Sequence, residues 1–530
     1  MKILISDSLS PRGVEVLQQA GYTADVKTKL PKEQLLEEIK TYDGIIVRSA
    51  TKITAEVIEA GSQLKIIGRA GTGLDNVDKE AATRRGIVVM NTPGGNTITT
   101  AEHSIALLVA MSRKIPQATA STKSGKWEKS KFMGTELYNK TLGLVGLGQI
   151  GSVVTKLAQG LSMNVIGYDP FLAPERSKEM GIEAVDLLEL FRRSDFISVH
   201  APLTNETRGI INAEAIKQMK DGVMIVNCAR GGIVNEKDIY EALKSNKVAS
   251  AAFDVFEEEP VKPDHPLLTL DNFICSPHIG ASTEEAQENV AVAIAEQFVD
   301  YFKKGVTRGA VNIPSVPPEV LPQLQPYLGL AERMGLFQSQ LIDAGIEQIT
   351  VEYCGDVANL STAPLTVAVL KGLFAPILES VVNTVNAPFI AKKRGIEAKE
   401  IKSSDAGEYT SLIRIHVQAG KQSHQLAGTL YHKKDPRIVE SNAYPVEVIP
   451  EGFMLLIYNK DRPGVIGTVG RVLGEQNVNI ARMQCARSKK GENALLIIGL
   501  DDSPSPQIIE TLKQEKDILS VRLVDLTQVQ

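Results

Sequence analysis

The stretch Thr141-Leu-Gly-Leu-Val-Gly-Leu-Gly-Gln-Ile-Gly151 predicts the fold of the region around it. Its apolar start predicts a short strand, and glycines 146, 148 and 151 follow in the spacing G-x-G-x-x-G. In that spacing the glycines form a tight turn, let the backbone approach a pyrophosphate, and let a helix pack on the strand. The helical pattern that follows would direct its first N–H groups at the phosphates. The stretch therefore predicts a dinucleotide site.

A second strand is predicted at Asn164–Tyr168, and it ends at Asp169. A carboxylate at this strand end can bond the ribose hydroxyls and repel a 2′-phosphate. A plain glycine-rich turn is the alternative for residues 146–151. The elements follow one another as strand, glycine turn, helix and strand, and this order favours a dinucleotide site. The acid at the end of the second strand favours NAD over NADP. Gln149 and Ile150 lie in the same turn, so we expect them to contact the cofactor.

The composition is that of an ordinary globular protein. Its 530 residues are too many for one core, so about three to four domains are expected. The 58 basic and 63 acidic residues nearly balance, which leaves no broad positive field for nucleic acid or an anionic membrane. Met1 leads directly into a predicted strand rather than a signal-type apolar run, and no segment is long enough to span a bilayer. We expect a cytoplasmic protein without nucleic-acid or membrane partners.

The cysteines predict neither disulfides nor a metal site. They lie far apart in the sequence, at Cys228, Cys275, Cys354 and Cys485. No two of them form a CxxC pair or another metal-ligand spacing. Reduced thiols in a reducing compartment are the expected state.

Alternating strand and helix patterns predict an α/β fold with two doubly wound parallel-sheet domains. Residues 1–98 have βαβ patterning without a phosphate fingerprint, and one long apolar helix is predicted over 99–120. A helix at Ser282–Lys303 is predicted to lead back to the first domain. The expected organisation is a discontinuous flavodoxin-like substrate domain at 1–98 and 283–315, a Rossmann NAD-binding domain at 99–282, an α/β intervening domain at 318–452 and a ferredoxin-like βαββαβ domain at 453–530.

Three candidate catalytic residues follow predicted strands of the dinucleotide unit: Arg230, Glu259 and His278. Ligands bind at the carboxyl ends of such strands. The guanidinium can hold a carboxylate, the imidazole can move a proton near neutral pH, and the carboxylate can orient the imidazole. Taken singly, Arg230 could form a surface ion pair, Glu259 could belong to a solvated acidic run, and His278 could be an ordinary loop histidine. Their recurrence on strand ends of one domain favours a 2-hydroxy-acid or 2-oxo-acid oxidoreductase.

The surrounding strings resemble the D-isomer-specific 2-hydroxyacid dehydrogenase family. The strings that carry the resemblance are Val47-Arg48-Ser-Ala-Thr51, Gly68-Arg69-Ala-Gly-Thr-Gly-Leu-Asp75, His200-Ala-Pro-Leu-Thr204, Asn227-Cys-Ala-Arg230-Gly-Gly, Asp254-Val-Phe-x-x-Glu259-Pro and Ser276-Pro-His278-Ile-Gly-Ala. The resemblance implies that Arg230 binds the substrate carboxylate, that His278 moves the hydroxyl proton, and that Glu259 pairs with His278.

The same resemblance implies further binding residues. His200 ends a strand and is the rival base, but the family places its loop along the cofactor. His103 is expected to be a structural, hydrogen-bonded histidine.

The expected cofactor contacts are Gly146, Gly148, Gln149, Ile150, Gly151, Asp169, His200, Pro202, Thr207, Cys228, Ala229, Arg230, Asp254, His278 and Gly280. The expected substrate contacts are Arg48, Arg69, Gly71, Lys129, Arg230 and His278, and Lys129 would reach a neighbouring subunit's site. Trp127 packing a subunit interface, with solvated lysines beside it, is the alternative for that loop.

Within the family, the C-terminal architecture is similar to that of members that oxidise 3-phospho-D-glycerate to 3-phosphooxypyruvate with NAD, the first step of L-serine synthesis. A hydroxypyruvate, glyoxylate or 2-oxoglutarate reductase is an alternative, and a non-catalytic NAD-sensing corepressor is another. The resemblance also implies a homo-oligomer, a dimer or a tetramer.

Residues 453–530 look like an ACT domain, a small amino-acid-binding module. The resemblance places an L-serine effector at Asn459, Asp461 and Asn479, where the carboxylate of Asp461 would receive the ammonium group. A simple helix cap at Asp461–Gly464 is the alternative.

Overall fold

The computed structural model describes residues 1–317, 319–378 and 381–528. Pro318, where the intervening domain is expected to begin, lies outside the described residues, as do positions 379–380 and 529–530 of the two C-terminal domains. The chain forms two compact units. The first comprises Met1–Ser8, Val14–Asn91 and Ile294–Gln530, and the second comprises Leu9–Gly13 and Thr92–Ala293.

A five-stranded parallel sheet opens the first unit. Its strands are β1 (Lys2–Ile5), β2 (Thr23–Val26), β3 (Gly44–Val47), β4 (Ile66–Arg69) and β5 (Val88–Asn91). Their order, β2-β1-β3-β4-β5, is flavodoxin-like, and all neighbours pair in parallel. The intervening helices are α1 (Pro11–Gln19), α2 (Lys32–Glu38), α3 (Ala55–Ala60) and α4 (Lys79–Arg84), with a 3₁₀ turn at Ile39–Thr41. Strands as apolar and buried as β3 are typical of parallel sheets covered on both faces.

A seven-stranded parallel sheet forms the second unit. Its strands are β6 (Thr141–Val145), β7 (Asn164–Tyr168), β8 (Glu183–Ala184), β9 (Phe196–Val199), β10 (Val223–Asn227), β11 (Val248–Phe253) and β12 (Phe273–Cys275). The order β8-β7-β6-β9-β10-β11-β12 reverses between β6 and β9. That reversal is the topological switch point at which doubly wound sheets bind ligands.

The helices of this part of the chain are α5 (Thr97–Ser112), α6 (Ile115–Lys123), α7 (Gln149–Gly160), α8 (Pro174–Glu179), α9 (Leu187–Arg193), α10 (Ala213–Gln218), α11 (Glu236–Lys244) and α12 (Glu284–Lys304). Short 3₁₀ turns lie at Lys129–Phe132 and Pro266–Thr269. The prediction of one helix over 99–120 is wrong, because α5 and α6 are separate. Lys114 between them is left-handed, with φ of 52°. Pro116 has no N–H to continue α5, whereas the first turn of a helix needs none.

The third part of the chain is an α/β domain with a mixed sheet. Its elements are α13 (Leu321–Ser339), β13 (Ile346–Gly355), a 3₁₀ turn at Asp356–Asn359, α14 (Ala363–Phe374), α15 (Ala387–Lys393), β14 (Glu397–Ser403), β15 (Ser411–Ala419), β16 (Gln422–Tyr431), β17 (Asp435–Ser441) and β18 (Tyr444–Val448). The order is β14-β13-β15-β16-β17-β18, in which only the β13–β14 pair is parallel. One continuous apolar cluster joins α13 and α14 to this sheet.

The last part is β19 (Phe453–Lys460), α16 (Val465–Glu475), β20 (Ile480–Arg487), β21 (Asn493–Leu500), α17 (Pro506–Gln514) and β22 (Ile518–Asp525). This βαββαβ sequence and the antiparallel order β20-β21-β19-β22 confirm the ferredoxin-like prediction. One face of the sheet packs on α16 and α17, and the other contributes to the cluster under α13. Among the described residues, no helix combines the length and apolarity needed to cross a membrane.

Candidate active site

The glycine turn lies between β6 and α7, at the switch point of the seven-stranded sheet. Gly146 has φ of +96°, and a Cβ there would stand 2.7 Å from the carbonyl oxygen of His200. A Cβ on Gly151 would overlap the carbonyl oxygen of Gly146, whereas one on Gly148 would meet no atom within 4 Å. Gly146 and Gly151 are thus packed against neighbouring backbone, whereas the backbone of Gly148 is accessible to a ligand. Open backbone before the N-terminus of α7 fits a pyrophosphate.

Asp169 follows β7 and is tied to the same turn. Its Oδ2 accepts the N–H of Leu147 at 2.9 Å, and its Oδ1 accepts the N–H of Phe171 at 2.9 Å. The sequence suggested only a ribose contact for this carboxylate. In the structure it also fixes the backbone of the glycine turn.

The loop after β9 begins at His200. Its Nε2 lies 2.9 Å from the hydroxyl of Ser198, and burial lowers the pKa of His200 to about 4. An imidazole with that pKa is a weak proton acceptor at neutral pH. Further along, the hydroxyl of Thr207 donates to the carbonyl of Pro202 at 2.6 Å and fixes the loop.

The loop after β10 is braced by Asn227, which is buried. Its Nδ2 donates to the carbonyl of Arg230 at 3.0 Å, and its Oδ1 accepts the N–H of Ala229 at 3.1 Å. The Arg230 guanidinium donates to the Ala229 carbonyl at 2.7 Å through Nη1. Burial raises the pKa of the neighbouring Cys228 thiol to about 12, so this cysteine stays protonated and contributes packing rather than a nucleophile.

Glu259 and His278 form the ion pair expected from their strand ends. Oε2 of Glu259 lies 2.7 Å from Nδ1 of His278, and Oε1 accepts the N–H of Phe256 at 3.0 Å. The hydrogen bond to Glu259 raises the pKa of His278 above its ordinary value, although burial opposes the rise. Burial would raise the pKa of Glu259, but its bonds to His278 and Phe256 hold that pKa below the ordinary value. Nε2 of His278 is left to exchange a proton with a ligand.

Asp254 follows β11 and is 1% exposed. Its Oδ1 accepts the hydroxyl of Ser276 at 2.6 Å and the N–H of Ile279 at 2.8 Å, and its Oδ2 accepts the N–H of Gly280 at 2.8 Å. Nε2 of His103 lies 3.2 Å from Oδ1. Burial alone would raise the pKa of Asp254, but these donors hold it below the ordinary value. The expected hydrogen-bonded state of His103 is therefore present, at a carboxylate next to His278.

The expected substrate cations of the first unit lie at one sheet edge. Arg48 comes directly after β3 and Arg69 ends β4, where Val47 pairs with Arg69. Arg48 lines a cavity of about 590 Å³ together with Asp7, whose carboxylate accepts the Arg48 N–H at 2.6 Å. Gly71 has φ of +149°, and a Cβ there would stand 2.8 Å from Nη1 of Arg69. Glycine thus leaves room for that guanidinium.

The remaining candidates lie outside these sheet edges. Lys129 is exposed on the 3₁₀ turn at Lys129–Phe132, close to Trp127, which is 83% exposed. No group of three or more His, Cys, Asp or Glu in the described part of the chain could hold a metal ion.

The expected effector residues lie in the ferredoxin-like domain. Oδ1 of Asn459 is buried and has no hydrogen-bond partner among the residues that the structure describes, and Asn479 donates to Asp501 at 2.7 Å. Asp461 accepts the N–H of Gly491 at 3.0 Å and lies 3.4 Å from the Arg487 guanidinium. That N–H and the guanidinium lower the pKa of Asp461. Gly464, the last residue of the segment Asp461–Gly464, occupies the N-cap of α16, and no side-chain hydrogen bond caps this helix in the described residues.

The structure brings Arg230, Asp254, Glu259 and His278 to the carboxyl end of one sheet. It adds two residues that the sequence did not single out for this site, Ser276 and His103. The position of Ser276, two residues before His278 at a strand end, was a usable signal. The contact of His103 with Ser276 spans 173 positions and had no local signal.

Three family models match the chain. Residues 105–280 match the D-isomer specific 2-hydroxyacid dehydrogenase NAD binding domain, residues 323–442 match the D-3-phosphoglycerate dehydrogenase intervening domain, and residues 453–517 match the ACT domain.

Similar proteins extend over the whole chain. A D-3-phosphoglycerate dehydrogenase of Archaeoglobus fulgidus is 46% identical, covering 99% of this chain and 100% of its own. One of Bacillus subtilis is 40% identical, covering 99% of each chain. A cofactor (NAD⁺)-bound 3-phosphoglycerate dehydrogenase of Entamoeba histolytica, a solved structure, is 35% identical with a TM-score of 0.50, covering 60% of this chain and 99% of its own.

Proposed function

Since the chain belongs to the D-3-phosphoglycerate dehydrogenases of the D-isomer-specific 2-hydroxyacid dehydrogenase family, we propose that it oxidises 3-phospho-D-glycerate to 3-phosphooxypyruvate, the first step of L-serine synthesis. It is an NAD-dependent oxidoreductase that acts on a CH–OH group. The observation that carries the proposal is the His278–Glu259 pair at the carboxyl end of a sheet with an NAD fingerprint.

Bound NAD supplies the acceptor for the hydride that leaves C2 of the substrate. As the C2–H bond breaks, the hydroxyl O–H bond also breaks, and its proton passes to Nε2 of His278. Glu259 Oε2 accepts a hydrogen bond from Nδ1–H of His278, with 2.7 Å between the two atoms, so the lone pair stays on Nε2 and the imidazolium that forms is stabilised. The weakly basic His200 is left for contact with the cofactor.

Arg230 is proposed to hold the substrate carboxylate, because its guanidinium fork matches two carboxylate oxygens. Arg48 and Arg69 are proposed to receive the phosphate, with Gly71 giving Arg69 its space. Lys129 is proposed as an additional cation for a neighbouring subunit's site, supported by its exposure. The proposed cofactor contacts remain those predicted from the sequence.

The test is turnover of the purified full-length chain with 3-phosphoglycerate and NAD, followed by NADH absorbance. We expect His278→Ala to bind NAD as the native chain does and to lose about 10²- to 10⁴-fold in kcat, the usual contribution of a general base. A His278→Ala protein with native kcat would refute the mechanism.

The alternatives give different results in the same assay. A hydroxypyruvate, glyoxylate or 2-oxoglutarate reductase would have a higher kcat/KM with unphosphorylated acids than with the phosphorylated one. A corepressor would bind NAD without measurable turnover. Substitution of Arg69 by Met is expected to raise KM for 3-phosphoglycerate and to leave KM for an unphosphorylated 2-hydroxy acid nearly unchanged.

The wider assignments are proposals too. The substrate domain is proposed at 1–98 and 283–315, the NAD domain at 99–282, and the C-terminal domains at 318–452 and 453–530. A cytoplasmic location is supported by scattered thiols without disulfide spacing. A homo-oligomer is proposed, without nucleic-acid or membrane partners.

The ACT domain is consistent with control by an effector. We propose L-serine as that effector, bound by Asn459, Asp461 and Asn479. The buried, unpartnered Oδ1 of Asn459 supports a donor from a ligand there. Calorimetry with L-serine is expected to give heat that Asp461→Ala abolishes, whereas an equal heat in both proteins would exclude this site.

A further inference from the structure

The backbone next to His278 is held in an unfavourable conformation. His278 itself has φ of +53°, in the left-handed region that non-glycine residues seldom occupy. Such a conformation is unfavourable for a residue with a Cβ and persists only where the surroundings hold it. Here the two residues that follow are held by Asp254, because the N–H groups of Ile279 and Gly280 each donate to one of its oxygens at 2.8 Å. Asp254 therefore restrains the backbone that directly follows His278.

The carboxylate of Asp254 also contacts two side chains, those of Ser276 and His103. Ser276 Oγ donates to Asp254 Oδ1 at 2.6 Å, which uses the only hydroxyl proton of that serine. Nε2 of His103, on α5, lies 3.0 Å from Ser276 Oγ and 3.2 Å from Asp254 Oδ1. Neither oxygen has a further proton to offer, so His103 must be the donor. His103 therefore carries a hydrogen on Nε2.

We propose that His103 is a positioning residue for the proton transfer: with Ser276 it holds Asp254, which fixes the backbone of residues 279–280 and so the imidazole of His278. The proposal rests on the dehydrogenase function given above. His103 touches neither the ring of His278 nor Glu259 in the described contacts, and it acts only through the intervening carboxylate.

The electrostatic consequence can be stated from the groups that face His278. The hydrogen bond and charge of Glu259 and the charge of Asp254 raise the pKa of His278, whereas burial and the charge of Arg230 lower it. Loss of the His103 donor leaves more of the Asp254 charge uncompensated. The pKa of His278 in the variant should therefore lie higher than in the native chain.

The decisive comparison uses His103→Leu, which removes the donor, and His103→Gln, whose amide nitrogen can replace Nε2 as a donor. In the full-length protein we expect His103→Leu to lower kcat for oxidation about 10- to 100-fold, the cost of a small misplacement of a catalytic group. NAD affinity should change less than about twofold, a difference well under 1 kcal/mol. The acid limb of the kcat–pH profile should move to higher pH. His103→Gln should restore most of kcat and the native profile.

Gln117→Leu is the matched control, because it removes a hydrogen bond from α6 to the carbonyl of Asp271 without touching Asp254. It should leave kcat and the pH profile native even if it lowers the melting temperature. If His103→Leu does not fold, Ser276→Ala replaces it, because this variant removes the other side-chain donor to Asp254 and should likewise lower kcat. Native kcat and pH profile in His103→Leu, or equal losses in the Leu and Gln variants without a pH shift, would overturn the proposal. Absence of turnover in the native chain would instead count against the proposed function.

Discussion

At the scale of single residues, the proposed chemistry depends on how two carboxylates position one imidazole. Glu259 contacts Nδ1 of His278 directly, whereas Asp254 accepts the backbone N–H groups of the two residues that follow His278. The first residue sets the tautomer and raises the pKa of the ring, and the second restrains the backbone that follows it. Asp169 also holds backbone, because it accepts the Leu147 N–H of the glycine turn.

The pH dependence of the reaction follows from the raised pKa of His278. The folded value lies above the ordinary 6.5, so the ring still carries its proton when a free histidine has lost it. Oxidation needs the neutral ring as proton acceptor. We therefore expect kcat for oxidation to rise with pH through a value above 6.5, and kcat for reduction of the 2-oxo acid to fall through the same value. Stopped-flow rates in both directions across pH provide the measurement, and a common limb below 6.5 would contradict the ion pair.

Glu259→Gln tests the orienting carboxylate separately. An amide can donate to Nδ1, which would place the ring proton on Nε2 and block the acceptor, and it removes the charge that raises the pKa of His278. We expect kcat to fall on the order of 10²- to 10⁴-fold, and the acid limb of any residual activity to move to lower pH. Native NAD binding would show that the fold is retained. Glu258→Gln, on an exposed neighbour paired with Lys262, is the control and should remain fully active.

At the scale of elements, the strand–turn–helix unit of β6 and α7 uses its glycines for different purposes. Gly151 is packed against the carbonyl of Gly146, and Gly148 faces open space. One glycine therefore serves packing within the element, and the other serves access to its backbone.

A pair of alanine substitutions separates these two purposes. Gly151→Ala must displace the backbone of Gly146, so we expect a loss of about 1–3 kcal/mol in stability, as in other overpacked sites. Gly148→Ala should leave the melting temperature unchanged, because a Cβ there meets no atom within 4 Å. It should weaken NAD binding about tenfold or more, equivalent to about 1.4 kcal/mol, because the methyl group occupies the approach of the pyrophosphate. Calorimetric melting and NAD titration measure the two effects, and a reversed pattern would contradict the assignment.

At the scale of the whole molecule, the loop between α6 and β6 carries apolar side chains that the single chain leaves uncovered. Trp127 is 83%, Met133 76% and Tyr138 64% exposed. Large apolar side chains exposed on one loop suit a protein interface if they form one patch. The loop therefore supports the proposed homo-oligomer, and it fits the alternative in which Trp127 packs a subunit interface.

The single tryptophan of the chain makes that interface measurable. We expect Trp127 emission to shift to longer wavelength on dilution, as the subunits separate and the indole meets water. Met133→Glu should shift the transition to higher protein concentration and lower the mass found by light scattering at a fixed concentration. Leu161→Glu, a partly exposed apolar residue after α7, is the control. A concentration-independent spectrum together with a monomeric mass would exclude the interface.

Much of the fold could be predicted from local patterns. The glycine spacing, the strand-terminal Asp169 and the βαββαβ order of residues 453–530 depend on neighbours in the chain, so the sequence carries them. The break between α5 and α6 is not predicted, although the apolar run of α5 ends before Arg113 and Lys114 and Pro116 follows them.

The sequence by itself determined which groups stand at strand ends, and hence that Arg230, Glu259 and His278 share one edge of a sheet. The resemblance implied the Glu259–His278 pair, but only the tertiary structure decided its geometry and the contacts of His103 and Ser276 with Asp254. The bond between Glu259 and His278 spans 19 positions, and that between His103 and Ser276 spans 173. Residues so far apart in the sequence come into contact only when the elements that carry them pack together. A shift of about one ångström between those elements would break the hydrogen bonds. The residue types therefore predicted the class of reaction, whereas the packing determines how the imidazole of His278 is oriented for the proposed proton transfer.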